Sequence, residues 1–75
     1  MQKIRNEEIL IKLGENLRRL RTGKNMSQEE LALKAGLALS QISRIENGKL
    51  NSSISTIIVI AKTLNVHPGE LFEKM

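Results

Sequence analysis

Seventy-five residues carrying twelve Lys/Arg, eight acids and a net charge of +4 suffice for one small domain with a thin stability margin. Cys, Trp and Tyr are absent, every acid is Glu and there is one His, so disulfides, thiolate metal sites and a convergent catalytic cluster are excluded; no enzyme, metal or cofactor is expected. An isoelectric point near 9.9 suits a polyanionic partner instead.

The positive excess lies in residues 1–25, which hold seven Lys/Arg against three Glu, whereas the remaining fifty residues balance at five against five. No apolar run approaches the roughly 18 residues of a membrane span, and no signal-peptide pattern is present. A cytoplasmic protein without a membrane partner is therefore expected.

The pattern is helical almost throughout, with one Pro and no period-two alternation. Residues 1–6, including Ile4, are expected to form an N-terminal arm or helix start, and residues 7–75 the domain. Helix 1 is predicted from Glu7 to Lys24, with Asn6 as cap and an apolar stripe of Ile9, Leu13, Leu17 and Leu20. Gly14 interrupts it, a local weakness of about 1 kcal/mol relative to Ala that permits close packing. Asn25 can take the left-handed conformation that closes the helix.

Helix 2 has the best-marked start. Ser27 and Glu30 have the spacing of a capping box, and Met26 and Leu31 stand where a hydrophobic staple belongs. Leu31, Ala32 and Ala35 are its inward face, Gly36 allows the positive φ that ends it, and Leu37 turns back to the core. Helix 3 is predicted over residues 39–47, closed by Gly48. A polar linker, GKLNSS, leads to helix 4, capped by Ser53, with Ile54, Ile57, Ile58, Ile60, Ala61 and Leu64 as apolar face. Helix 5 is short: His67 caps, Pro68 takes the first position, and Leu71 and Phe72 anchor it.

Helix 3 raises the functional question. On a wheel of 3.6 residues per turn, Ile42 and Ile45 share one face, and Ser40, Ser43, Arg44 and Asn47 gather opposite. Solvated helices favour long Glu and Lys there, so short polar side chains around one Arg suggest close approach to something polar. Two short helices joined by a Gly turn form a helix-turn-helix. In a twenty-residue unit over residues 28–47, Ala32 falls where the helices cross, Gly36 in the turn, and Ile42 and Ile45 toward the core.

With its segments MSQEELALKAGLALSQISRIENGK and IIVIAKTLNVHPGELF, the chain resembles the Cro and phage-repressor family of DNA-binding domains, the xenobiotic-response-element-like family, which includes restriction–modification controller-like proteins. The resemblance spans residues 12–73. It implies an all-α fold, a five-helix bundle of the lambda-repressor type, that binds a pseudo-palindromic operator in double-stranded DNA as a homodimer and regulates transcription as a repressor or controller.

By resemblance Leu39, Ser40, Ser43 and Arg44 occupy base-reading positions. A bidentate contact from Arg44 to guanine O6 and N7 would supply about 1–3 kcal/mol of discrimination. Leu39 departs from the frequent polar residue and either touches a thymine methyl or covers the helix start. Gln28, at the N-terminus of helix 2 where the dipole favours an anion, is implied as a phosphate contact. Asn47, Lys49 and Asn51 follow helix 3 and are also expected to meet phosphate.

The resemblance further pairs Arg21 with Glu46, holding the recognition helix and offsetting an acid beside phosphates. His67, with no companion ligands, is a cap rather than a metal ligand. The homodimer surface is expected to include Val59, Val66, Leu71, Phe72 and Met75, and Leu33 is a further apolar residue on a polar face. A second reading is an antitoxin-type protein whose main role is binding a partner protein, with DNA autoregulation secondary. The protein partners considered are a toxin or RNA polymerase.

Overall fold

A computed structural model describes residues 6–75. The other five residues of the expected N-terminal arm, Ile4 among them, lie outside the described residues. Asn6 ends that arm and is the cap of the first helix, its side-chain oxygen accepting from Ile9 N at 3.2 Å. The elements in order are α1 (Glu7–Gly23), α2 (Gln28–Ala35), α3 (Leu39–Glu46), α4 (Ile54–Leu64) and a 3-10 helix (Pro68–Phe72). The described residues are therefore all-helical, but the fifth element is a single 3-10 stretch rather than the α-helix expected there. His67 Nδ1 accepts from Gly69 N and Glu70 Oε2 accepts from His67 N, and this tight local bonding sets its start.

The helix ends follow a shared design. Ser27 Oγ accepts from Glu30 N at 3.0 Å and Ser53 Oγ from Thr56 N at 3.2 Å, each satisfying a free first-turn donor. The capping box at α2 is only half made, because the Glu30 carboxylate reaches Lys34 at 3.3 Å instead of the Ser27 backbone. After each of the four α-helices stands a residue with positive φ: Asn25, Gly36, Gly48 and Asn65. At each, the next backbone N–H returns to a carbonyl five residues earlier: Met26 to Arg21, Leu37 to Ala32, Lys49 to Arg44 and Val66 to Ala61.

Leu13, Leu17, Leu20, Leu31, Ala32, Ile42, Ile45, Ile57, Ile60, Ala61, Leu64 and Leu71 form one buried cluster, with Met26, Leu37, Leu50 and Val66 packed at its margin. Four expected core residues, Ile9, Ala35, Ile54 and Ile58, are not in it. Ile9 is 44% exposed and Leu10 is buried in its place. At about 100° per residue, Leu10 lies about 20° from Leu17 around the helix, whereas Ile9 lies about 80° away. Ile54 is 71% exposed, since the first turn of α4 precedes its contact with the bundle. Ala35 and Ile58 are half-buried.

Gly14 explains how α3 is seated. A Cβ there would lie 2.5 Å from the carbonyl oxygens of both Ile45 and Glu46, so α1 and the end of α3 meet backbone to backbone. Only a residue without a side chain allows that approach.

Candidate nucleic-acid interface

The outward face of α3 is set by its inward one. Ile42, Ile45 and Glu46 are buried against α1 and α2, which leaves Leu39, Ser40 and Arg44 exposed and Ser43 half-buried. The helix starts at Ala38, which has no capping side chain; Gln41 Oε1 accepts from Ala38 N at 3.0 Å and organises the turn. After the helix come Asn47, Lys49 and Asn51, all exposed. The four positions expected to read bases thus lie along one helix, followed directly by three of the positions expected to meet phosphate.

Behind this face lies the charged centre of the molecule. The Glu46 side chain is fully buried, yet it accepts four hydrogen bonds. Arg21 donates from Nε to Oε2 at 2.6 Å and from Nη2 to Oε1 at 2.9 Å. Gln28 Nε2 reaches Oε1 at 3.0 Å, and Arg18 Nε reaches it at 3.3 Å. The third nitrogen of Arg21 donates to Met26 O at 2.8 Å, so α1, the α2 start and the α3 end are tied at one carboxylate.

Burial alone would push the Glu46 carboxyl up. Hydrogen bonds from Arg21 and Gln28, the charge of Arg21 and the Arg18 contact outweigh it, holding the group below the usual carboxylate range. The same bond raises Arg21 above its ordinary value, against a smaller opposing effect of burial.

The partners Arg21 and Glu46, paired in sequence by resemblance, are therefore in direct contact, and Gln28 is drawn into the same network with its amide committed to Glu46. Arg18 carried no assignment from the sequence. It also donates from Nη2 to Asn47 Oδ1 at 3.3 Å. Asn16 was missed as well: it is buried and donates through Nδ2 to Leu71 O and Glu73 O, both at 2.9 Å. An Asn on the same stripe as Leu13, Leu17 and Leu20 was the available signal, because a buried amide needs partners.

Among the residues expected at a dimer surface, Leu71 is only 1% exposed and belongs to the core. Three residues per turn align it with Pro68 on the inward side, leaving its neighbour Phe72 outside. Val66 is half-buried against the cluster, while Val59, Phe72 and Met75 are exposed. Among the described residues Leu33 is the most exposed large apolar residue at 82%. Among the described residues no group of acids and His is placed to hold a metal, and no helix is long and apolar enough to cross a membrane.

A helix-turn-helix family model matches residues 17–71. The control protein C.BamHI of Bacillus amyloliquefaciens is 41% identical over 66 residues, covering 87% of this chain and 82% of that one. The crystal structure of the restriction–modification controller C.AhdI from Aeromonas hydrophila superimposes with a TM-score of 0.82 at 44% identity, over 84% of this chain and 96% of that one. The controller C.Esp1396I, solved as a tetramer on its natural 35-base-pair operator, matches with a TM-score of 0.79 at 35% identity, covering 87% of this chain and 86% of that one.

Proposed function

The chain belongs to the helix-turn-helix family, and on that footing we propose that it is a sequence-specific DNA-binding regulator of transcription, of the restriction–modification controller type, acting as a homodimer in the cytoplasm. The observation that carries this reading is the outward face of α3: Ser40 and Arg44 exposed and Ser43 beside them, on a helix whose other side is buried. The major groove is about 12 Å wide and takes one helix, provided the facing side chains are short enough for the axis to come near the bases. Ser40 and Ser43 meet that limit, and Arg44 supplies a forked donor for guanine.

Glu46 does not oppose DNA in this arrangement, because Arg21 and Arg18 neutralise it before a phosphate arrives. Asn47, Lys49 and Asn51 position the backbone, and Gln28 acts through Glu46. Val59, Phe72 and Met75 are the residues left for the second protomer. Two such protomers would place their recognition helices about 34 Å apart, one turn of duplex.

Selection from a pool of random duplexes, with sedimentation at two protein concentrations, tests the proposal. The expected result is a pseudo-palindromic consensus bound by a dimer, with affinity falling steeply as salt rises. Arg44→Ala should flatten sequence preference, whereas Lys49→Ala should weaken all duplexes alike and reduce the salt slope by about 1. Equal losses from both variants on selected and scrambled DNA would refute the division of roles.

A further inference from the structure

Arg18 joins two residues at the end of α3. Its Nε lies 3.3 Å from Glu46 Oε1 and its Nη2 3.3 Å from Asn47 Oδ1. The second contact decides how the Asn47 amide faces. A guanidinium has donors only, so the atom it meets must be the carbonyl oxygen, and the amide nitrogen takes the other branch. That nitrogen, and Arg18 Nη1, have no partner among the described residues. Asn47 is exposed, and the Arg18 side chain is 55% exposed. Two donor groups are thus carried by exposed side chains that touch each other just past the recognition helix.

Charge points the same way. Glu46 contributes one negative charge and Arg18 and Arg21 one positive charge each, which leaves the cluster with a surplus of one. A helix C-terminus by itself disfavours an anion, because its last carbonyls carry the negative end of the dipole. Arg21 suffices to balance Glu46, so the Arg18 charge is what remains to offset that end. A phosphodiester is acceptor-only and singly charged, and so complements both the donors and the surplus.

Resting on the DNA-binding reading, we propose that Arg18 is a positioning residue. It turns the Asn47 amide so that Nδ2, together with its own Nη1, forms a two-donor seat for one backbone phosphate in each half-site. The seat is sequence-neutral, and it sets the depth and register of α3 in the groove.

The test uses the full chain, a duplex selected from a random pool by the wild type, and a scrambled duplex of equal length. Phosphates of the selected duplex are replaced one at a time by neutral methylphosphonates. For the wild type, one replacement per half-site should cost about tenfold in affinity. Arg18→Gln and Asn47→Ala should each lose about tenfold on both duplexes, and both should be insensitive to that replacement. The double variant should bind little worse than either single one, and Arg18→Gln should lower the salt slope by about 1.

An Arg18→Gln protein that keeps the wild-type methylphosphonate pattern overturns the proposal, whether its affinity is unchanged or reduced. So do losses for Arg18 and Asn47 that simply multiply. Thermal melting of each variant separates loss of fold from loss of the seat. A wild type that binds no duplex would remove the DNA-binding reading itself, whereas a binding wild type with a silent Arg18 removes this proposal alone.

Discussion

Helix α1 makes two junctions, and they are built on different principles. Toward α3 it presents Gly14, Arg18 and Arg21: a bare backbone contact and two cations on a buried carboxylate. Toward the 3-10 helix it presents Asn16 and Arg19: a buried neutral amide on two carbonyls and an exposed ion pair to Glu73 at 3.7 Å. The residues of the two junctions interleave along a span of eight positions. The first junction centres on a carboxylate from which water is excluded, so it is directional and intolerant. The second spreads modest interactions over a partly open edge, so it tolerates change. The element proposed to read DNA hangs from the intolerant one.

The largest contrast should come from Gly14→Ala. The added methyl meets two carbonyl oxygens that belong to backbone, so α3 must move as a unit. Overpacking of this kind outweighs the gain of about 1 kcal/mol in helix propensity, and a net loss of about 3 kcal/mol is expected. A drop of about 15 °C in melting temperature would register it. A Gly14→Ala protein at least as stable as wild type would show that the first junction has slack.

Next in size is Arg21→Ala, which leaves Glu46 buried with only Arg18 and Gln28 as donors. Chemical denaturation at pH 7 should show a loss of about 2–3 kcal/mol, below the full cost of an orphaned charge. The same pair fixes an acid response. Glu46 titrates lower in the folded state than in the unfolded one, so its contribution is complete above the unfolded value of about 4.3. It then fades as pH falls through the folded value. The stability gap between wild type and Arg21→Ala should therefore narrow on going from pH 6 to below pH 4. A gap that stays constant would mean that Glu46 does not titrate as the network requires.

At the second junction Asn16→Ala should cost about 1–2 kcal/mol, since two carbonyls lose one shared donor group and only that of Glu73 is partly open to water. The smallest effect should be Glu73→Gln, with melting shifted by less than about 2 °C, because both members of its ion pair are about half exposed. Should Glu73→Gln rival Arg21→Ala, the distinction between the junctions would fail.

These junctions also divide what was legible in the sequence. Local chemistry was readable: the Ser27 and Ser53 caps, the turn at Gly36 and the inward Ile42 and Ile45 depend on neighbours within a few positions. The Arg21–Glu46 contact came from family resemblance, since nothing local links residues 25 positions apart. Arg18 and Asn16 went unassigned for the same reason. Their partners on other elements are 28 or 29 and 55 or 57 residues away, and a charged or amide side chain gives no sign of what lies across from it. Of the two anchors expected in helix 5, Leu71 is inward and so unavailable to a dimer surface, while Phe72 is outside. A 3-10 stretch and an α-helix put different residues inward, and the five-residue segment was too short to show its period. The outward side of α3 was legible through its contrast with Ile42 and Ile45, while each residue's assignment to base or phosphate rests on resemblance.

The meeting of α1 and α3 without an intervening side chain bears on how such a regulator diversifies. At Gly14 no adjustable layer exists, so accumulated substitutions cannot readily tilt or slide the reading helix. New target preferences must instead arise by exchanging the handful of side chains on its far side, much as type is reset in a fixed frame. A lineage built on this joint would gain new vocabularies while keeping one posture.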